Sequence, residues 1–191
     1  MSSIVLFGGT FDPIHIGHLI IAEHVKESIG AGKITFLPTG VPPHKKGVSS
    51  SIHRLKMVEL AISDNPSFEV STYELKQKGT NYTYRTVKHF STKTDQLYFF
   101  AGADSLVDLP NWRNPMGILN HCKMIIARRN DIDFQNVFQK FDAENFVMVD
   151  TPIVGLSSTE VRKRVAANKS CKYILHPKVE QYIEKEELYI G

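Results

Sequence analysis

His15 and His18 stand three residues apart, separated by Ile16 and Gly17, at the end of the run Gly8-Gly9-Thr10-Phe11-Asp12-Pro13-Ile14. The apolar run Ile4-Val5-Leu6-Phe7 comes directly before it. This order predicts a short buried strand opening into a glycine turn, with both histidines where a helix begins. Such a junction suits phosphate. Adjacent glycines let a backbone come close to a ligand and aim N–H groups at an anion. The helix start adds unpaired amides and the positive end of its dipole. Histidine adds donors whose charge responds to a nearby phosphate. The spacing also suits a metal pair, but no third or fourth ligand accompanies it in sequence, so phosphate is favoured over zinc. The junction carries neither G-x-x-x-x-G-K-S/T nor G-x-G-x-x-G, the better-known phosphate loops.

Other segments carry chemistry of the same kind. Ser157-Ser158-Thr159-Glu160-Val161-Arg162 reads as a capping box, with Ser157 as N-cap and Glu160 three residues on. Alone, that is a well-started helix. The further hydroxyls of Ser158 and Thr159, with the Arg162 guanidinium, make it a second anion seat. Val41-Pro42-Pro43-His44-Lys45 must be a loop, because proline lacks the N–H that helix and sheet require. Taken alone it is a rigid surface turn bearing solvated cations. In Gly102-Ala103-Asp104-Ser105, the acid suits ribose hydroxyls or the start of the next helix. Trp112, the only tryptophan, lies in polar company and ordinarily such a residue shields a core edge. His24, His53, His89, His121 and His176 read as structural or exposed, and Arg54 reads equally well as a surface residue.

These residues need a frame to bring them together. Strand-like runs recur at Ile4–Phe7, Ile34–Leu37, Phe68–Thr72, Leu97–Ala101, Met124–Ala127 and Phe146–Val149. Helical spacing falls between them: about Gly17–Ile29 with Ala22, Val25 and Ile29 on one face, from Ser51 with Leu55, Val58 and Ile62, and through Tyr84–Phe90. Two helices, about Ser158–Ala167 and Lys178–Glu187, finish the chain. Such alternation predicts an α/β fold, a doubly wound and mostly parallel sheet with helices on both faces. The entirely apolar or aromatic fourth strand is expected at its centre. In open parallel sheets ligands bind beyond the carboxyl ends of the strands, and the candidate segments all follow strands. One domain over residues 1–191 is expected, its last 35 or so residues helical.

Composition narrows the class. Apolar content of 42% and charged content of 23% are those of an ordinary globular protein. The net charge is +3 and no long run of like charge occurs, so neither nucleic acid nor a membrane surface is indicated as partner. Cys122 and Cys171 lack C-x-x-C spacing and read as free thiols. No apolar stretch has the length of a membrane span, and the early first strand argues against a secretory signal. A cytoplasmic protein is the expectation. The last helix, with Val179, Tyr182 and Ile183 on one side, suits packing on its own domain or across a homodimer.

The run His15-Ile16-Gly17-His18 resembles the H-x-G-H motif of the nucleotidyltransferase superfamily. The longer form G-G-T-F-D-P-x-H-x-G-H resembles the bacterial-type nicotinate-nucleotide adenylyltransferase family. Leu156-Ser157-Ser158-Thr159-Glu160-Val161-Arg162 is similar to that family's I-S-S-T-x-x-R motif, with leucine for isoleucine. The resemblance implies a Rossmann-like fold and adenylyl transfer from ATP to nicotinate mononucleotide, giving the deamido-dinucleotide and pyrophosphate. It implies that Gly8, Gly9, Thr10, Phe11, His15, His18, Gly102, Asp104, Ser157, Ser158, Thr159 and Arg162 bind ATP, with His15, His18 and Arg162 stabilising the reacting phosphate. It places His44 and Lys45 near the mononucleotide phosphate, with Arg54, at the following helix start, a less specific match. Thr83, Tyr84 and Trp112 would line the pyridine pocket, with the indole stacked on the ring and backbone amides receiving the carboxylate. Mg²⁺ would ride on ATP, with no side-chain cage. The nearest rivals, pantetheine-phosphate and glycerol-phosphate nucleotidyltransferases, typically lack the G-G-T-F-D-P lead-in and the proline-proline-histidine-lysine loop. A non-catalytic nucleotide-binding domain would be expected to have lost a histidine or the S-S-T-x-x-R cluster, and here all are intact.

Overall fold

A computed structural model describes residues 3–41, 47–127 and 133–190, with the backbone alone at Asp104. Six strands alternate with helices in chain order: β1 (Ser3–Gly9), α1 (Ile16–Ile29), β2 (Ile34–Pro38), α2 (Ser51–Ala61), β3 (Phe68–Val70), α3 (Thr83–Ser91), β4 (Gln96–Phe100), α4 (Ala103–Val107), α5 (Pro115–Leu119), β5 (Lys123–Ala127), α6 (Gln135–Phe138), β6 (Phe146–Val149), α7 (Ser158–Ala166) and α8 (Pro177–Lys185). The strands form one sheet in the order β3-β2-β1-β4-β5-β6, and every pairing is parallel. The order reverses direction between β1 and β4, which is the topological switch point of an open α/β sheet.

The strands read as unbroken apolar runs because both faces of the sheet are covered. Val5, Phe7, Phe36, Phe100 and Ile125 face one core together with Ala22 and Val25 of α1, Met57 and Val58 of α2, and Val179 and Ile183 of α8. Their neighbours Leu6, Leu37, Phe99, Met124 and Ile126 face the other, with Val87 and Phe90 of α3, Leu106 of α4 and Ile118 of α5. The period-two alternation of a strand assigns each residue to its side. β4 is central, as its composition predicts.

Some expectations shift. β3 ends at Val70 rather than Thr72, and Glu74–Lys76 forms a separate 3₁₀ turn. The buried face of α2 is Arg54, Met57, Val58 and Ala61, with Leu55 only half-buried. Pro177 takes the first position of α8, where its missing N–H costs nothing, and His176 caps the helix through Nδ1.

A candidate nucleotide-binding active site

The segment after β1 runs out over the carboxyl end of the sheet at the switch point. Gly8 and Gly9 belong to the strand itself, and their missing side chains serve packing. A Cβ on Gly8 would lie 2.6 Å from the Phe99 ring, and one on Gly9 would lie 2.7 Å from the Phe11 ring. Aromatic rings therefore fill the space that side chains at these two positions would take. Phe11 itself takes φ 51, a left-handed conformation, and turns its ring into the core, 2% exposed. The Asp12–Pro13 peptide is cis.

The two histidines then open α1. Nδ1 of His18 accepts from the His15 N–H at 3.1 Å, and His18 N–H bonds to the His15 carbonyl at 2.9 Å. With Nδ1 an acceptor, the neutral ring carries its proton on Nε2. The rings are stacked, 3.7 Å between centroids, and the Phe11 ring meets His18 edge-on at 5.2 Å. His15 is buried, and loss of water lowers its pKa to about 4, so it is neutral at pH 7. Its Nδ1 is buried and makes no hydrogen bond among the described residues. Gly17 permits this crowding, for a Cβ there would sit 3.0 Å from both the His15 ring and Val154.

The start of α7 docks onto the segment before α1. The Ser157 hydroxyl caps α7 by accepting from Glu160 N–H at 3.1 Å. The Ser158 hydroxyl donates to the Pro13 carbonyl at 2.9 Å, and Arg162 donates to the Asp12 carbonyl at 2.7 Å and to Thr159 Oγ1 at 3.2 Å. Thus residues 145 and 150 positions apart in sequence are joined at the mouth of the sheet. Part of the Arg162 guanidinium is engaged in holding the loop, a duty beyond the phosphate binding expected of it.

Gly102 follows the strand beside β1, and no described residue lies within 4 Å of its Cβ position. It is also the N-cap of α4, which places Asp104 inside the first turn rather than at the cap. Trp112 is half-buried and meets Phe99 edge-on at 6.4 Å, above the ring that fills the space over Gly8. Thr83 and Tyr84 begin α3, and Tyr84 packs so closely on α5 that a Cβ on Gly117 would lie 2.7 Å from its ring. Arg113 sits over the Tyr82 ring at 4.7 Å. His44 and Lys45 lie outside the described residues.

Three groups are more important than the sequence reading allowed. Arg54 is 1% exposed and donates to the carbonyls of Ser49, Thr10 and Gly40 at 3.0, 2.8 and 2.9 Å. It is an interior residue, not a surface one, and its spacing with Met57, Val58 and Ala61 is the signal that could have shown this. The buried Asp12 carboxylate accepts from Tyr189 Oη at 2.6 Å and from Ser49 N–H at 3.2 Å. Tyr189 left no signal in sequence. Glu74, 5% exposed, accepts from Thr86 Oγ1 at 2.8 Å, and burial raises its pKa to about 7. Asn81 ties the Glu74 carbonyl to the Val41 N–H.

A doubly wound parallel sheet with anion-binding groups gathered at its switch point defines a nucleotide-binding α/β protein. Residues 6–164 match the Cytidylyltransferase-like family model. A protein of Caldicellulosiruptor saccharolyticus named "Probable nicotinate-nucleotide adenylyltransferase" is 39% identical over 192 residues, 97% of this chain and 98% of its own length. One of Clostridium acetobutylicum with the same name is 37% identical over 200 residues, all of both chains. The structure of the Plasmodium falciparum nicotinic acid mononucleotide adenylyltransferase complexed with NaAD superposes with a TM-score of 0.82 at 22% identity, covering 99% of this chain and 98% of its own. The chain belongs to the cytidylyltransferase-like family and, within it, groups with the nicotinate-nucleotide adenylyltransferases.

Proposed function

We propose that this protein transfers the adenylyl group of ATP to nicotinate mononucleotide, forming nicotinate adenine dinucleotide and pyrophosphate in NAD biosynthesis. The observation that carries this reading is the joint seat in which the α7 start, through Ser158 and Arg162, is bonded to the loop bearing His15 and His18. Full-length relatives at 37 and 39% identity supply the substrate class.

The mononucleotide phosphate is already an anionic nucleophile at neutral pH. One of its oxygens attacks the α-phosphorus of ATP, a new P–O bond forms, and the bond to the bridging oxygen breaks as pyrophosphate leaves. No catalytic base is required. Catalysis lies in alignment and in stabilising spreading negative charge. His18, its proton on Nε2, donates toward the reacting phosphate, and the neutral His15 ring holds that orientation from beneath. Arg162 and the hydroxyls of Ser157, Ser158 and Thr159 receive the departing phosphates. Thr83, Tyr84 and Trp112 line the pyridine pocket, with Gly102 and Asp104 toward the ATP ribose and His44 and Lys45 toward the mononucleotide phosphate.

The donors gathered here are imidazole, hydroxyl, guanidinium and backbone N–H, a set that suits anions rather than a cation. Asp12, the buried acid beside them, already accepts from Tyr189 and Ser49. Mg²⁺ accordingly belongs to the substrate, entering as MgATP. One domain spanning residues 1–191 acts on these small molecules in the cytoplasm; no described helix is long and apolar enough to cross a membrane.

Pyrophosphate release with MgATP and either nicotinate or nicotinamide mononucleotide tests the assignment. Fast release with the acid and slow release with the amide is expected. No release with either sinks the proposal.

A further inference from the structure

The turn that carries His15 and His18 is fixed at both ends by the last part of the chain. Ile16, between the two histidines, donates its N–H to the Ile174 carbonyl at 2.9 Å. Asp12, just before the turn, accepts from the Tyr189 hydroxyl at 2.6 Å on Oδ1 and from Ser49 N–H at 3.2 Å on Oδ2. Between those points Arg162 and Ser158 of α7 hold the carbonyls of Asp12 and Pro13. The Tyr189 bond spans 177 residues, so no local turn requires it.

Two left-handed residues deliver Tyr189 to this place. α8 ends in a Schellman turn, with Glu187 N–H bonded to the Glu184 carbonyl at 3.2 Å and Leu188 N–H to the Ile183 carbonyl at 3.0 Å. The position that glycine ordinarily fills in such a turn is Glu187, at φ 51, and Tyr189 follows at φ 65. Non-glycine residues keep such angles only where their surroundings over-determine them. Here Leu188 and the Tyr189 ring pack on the core that α1, α2 and α8 share, and the hydroxyl lies 3.9 Å from Met57 Sδ. A phenylalanine would fill that place as well. What the hydroxyl adds is a charge-assisted bond to a carboxylate that is 4% exposed and needs its donors from within the protein. Burial and the bond to Asp12 push the Tyr189 pKa up, so the phenol keeps its proton and donates it.

Resting on the functional reading above, we propose that the C-terminal segment, through Tyr189 and the Ile174 carbonyl, is a positioning element of the active site that sets the His15–His18 turn and so aims His18 at the reacting phosphate. Tyr189 and Ile174 are positioning residues, because each acts through the turn and neither is assigned a contact with a reacting atom. The ring follows the backbone: His18 Nδ1 is tied to the His15 N–H at 3.1 Å, and Asp12 and Ile16 anchor the chain on either side of that N–H. A donor aimed at charge that develops only in the transition state raises turnover rather than substrate affinity. Loosening the tail therefore acts on kcat and leaves KM in place.

The test is a double-mutant cycle on pyrophosphate release from MgATP and nicotinate mononucleotide. It compares wild type, Tyr189→Phe, His18→Ala and the double variant, with thermal melting as the fold control. Tyr182→Phe serves as the second control, for it removes another phenol of the same segment, one that meets His53 Nδ1 at 2.8 Å and not the turn. Tyr189→Phe, which keeps the ring and loses only the hydroxyl, should lower kcat about tenfold, the scale of a small misplacement. Both KM values should stay within about twofold, and Tyr182→Phe should match wild type. In the His18→Ala background the same change should lower kcat by less than about twofold, because residues that act as a unit are not additive. Unchanged kcat in Tyr189→Phe, or a full tenfold loss in both backgrounds, refutes the inference. Failure of Tyr189→Phe to fold, or loss spread over kcat and both KM values, makes the hydroxyl structural and refutes it equally. No pyrophosphate release from wild type would instead overturn the adenylyl-transfer reading, and the positioning role with it.

Discussion

The two halves of the candidate site are built in different ways. On the side of β1 and α7, the loop is held by hydrogen bonds from distant residues: Ser158 to Pro13, Arg162 to Asp12, Arg54 to Thr10 and Tyr189 to Asp12. On the side of α3 and α5, Trp112, Tyr84 and Tyr82 are held by packing, edge-on to Phe99, against Gly117 and beneath Arg113. The contrast matches the ligands proposed for each. A triphosphate asks for donors at fixed positions, which only a tightly bonded backbone provides. A flat aromatic ring asks for apolar faces, which side chains on short helices provide with less constraint.

The sharpest way to break this contrast lies at the histidines. His18→Ala should lower turnover by about 10²–10³ while leaving the circular dichroism unchanged, the scale of losing one transition-state donor. Unaltered pyrophosphate release would remove His18 from the chemistry. Next in size comes the glycine comparison. Gly8→Ala must displace the Phe99 ring 2.6 Å away and should cost about 1–3 kcal/mol in denaturant unfolding. Gly102→Ala meets no described residue within 4 Å and should cost about 0.5 kcal/mol or less. Equal losses would refute the packing account of Gly8.

Glu74 allows a test by pH. Its native pKa of about 7 lies above the ordinary value of 4.5, so the native state holds this proton after the unfolded chain has released it. Its effect on stability is least unfavourable below pH 4.5 and worsens as pH rises from 4.5 through 7. Glu74→Gln should therefore raise stability by about 1–3 kcal/mol at pH 8 and change little at pH 4.5. A gain of the same size at both pH values would show that charge burial is not the cause. The smallest effect is expected in the aromatic half. Trp112→Ala should raise the KM for the mononucleotide about three- to tenfold, the worth of one aromatic contact, with the KM for ATP unmoved. A matching rise for ATP would erase the distinction between the halves.

What was legible in the sequence was whatever rests on local pattern. Apolar runs in alternation with helical spacing implied the doubly wound sheet, and the all-apolar β4 implied its own central place. The histidine spacing and the capping serine at 157 announced helix starts, because caps and turns are settled within a few residues. Glycines 8 and 9 announced a special backbone but not its packing partner, since Phe99 lies 91 positions away from Gly8 and only the sheet pairs their strands. Short helices such as α4, α5 and α6 went unread, being too brief to show a period.

The sequence by itself therefore determined the fold class and the helix starts at His15 and Ser157, because period, capping and turn chemistry act between neighbours in the chain. Tertiary structure alone decided that Arg54 reaches the carbonyls of Thr10, Gly40 and Ser49, that Asp12 is shared between Ser49 and Tyr189, and that Glu74 is buried with Thr86. A charge placed in the core is stable only if partners arrive from elsewhere in the chain, and no local pattern records which residues those will be.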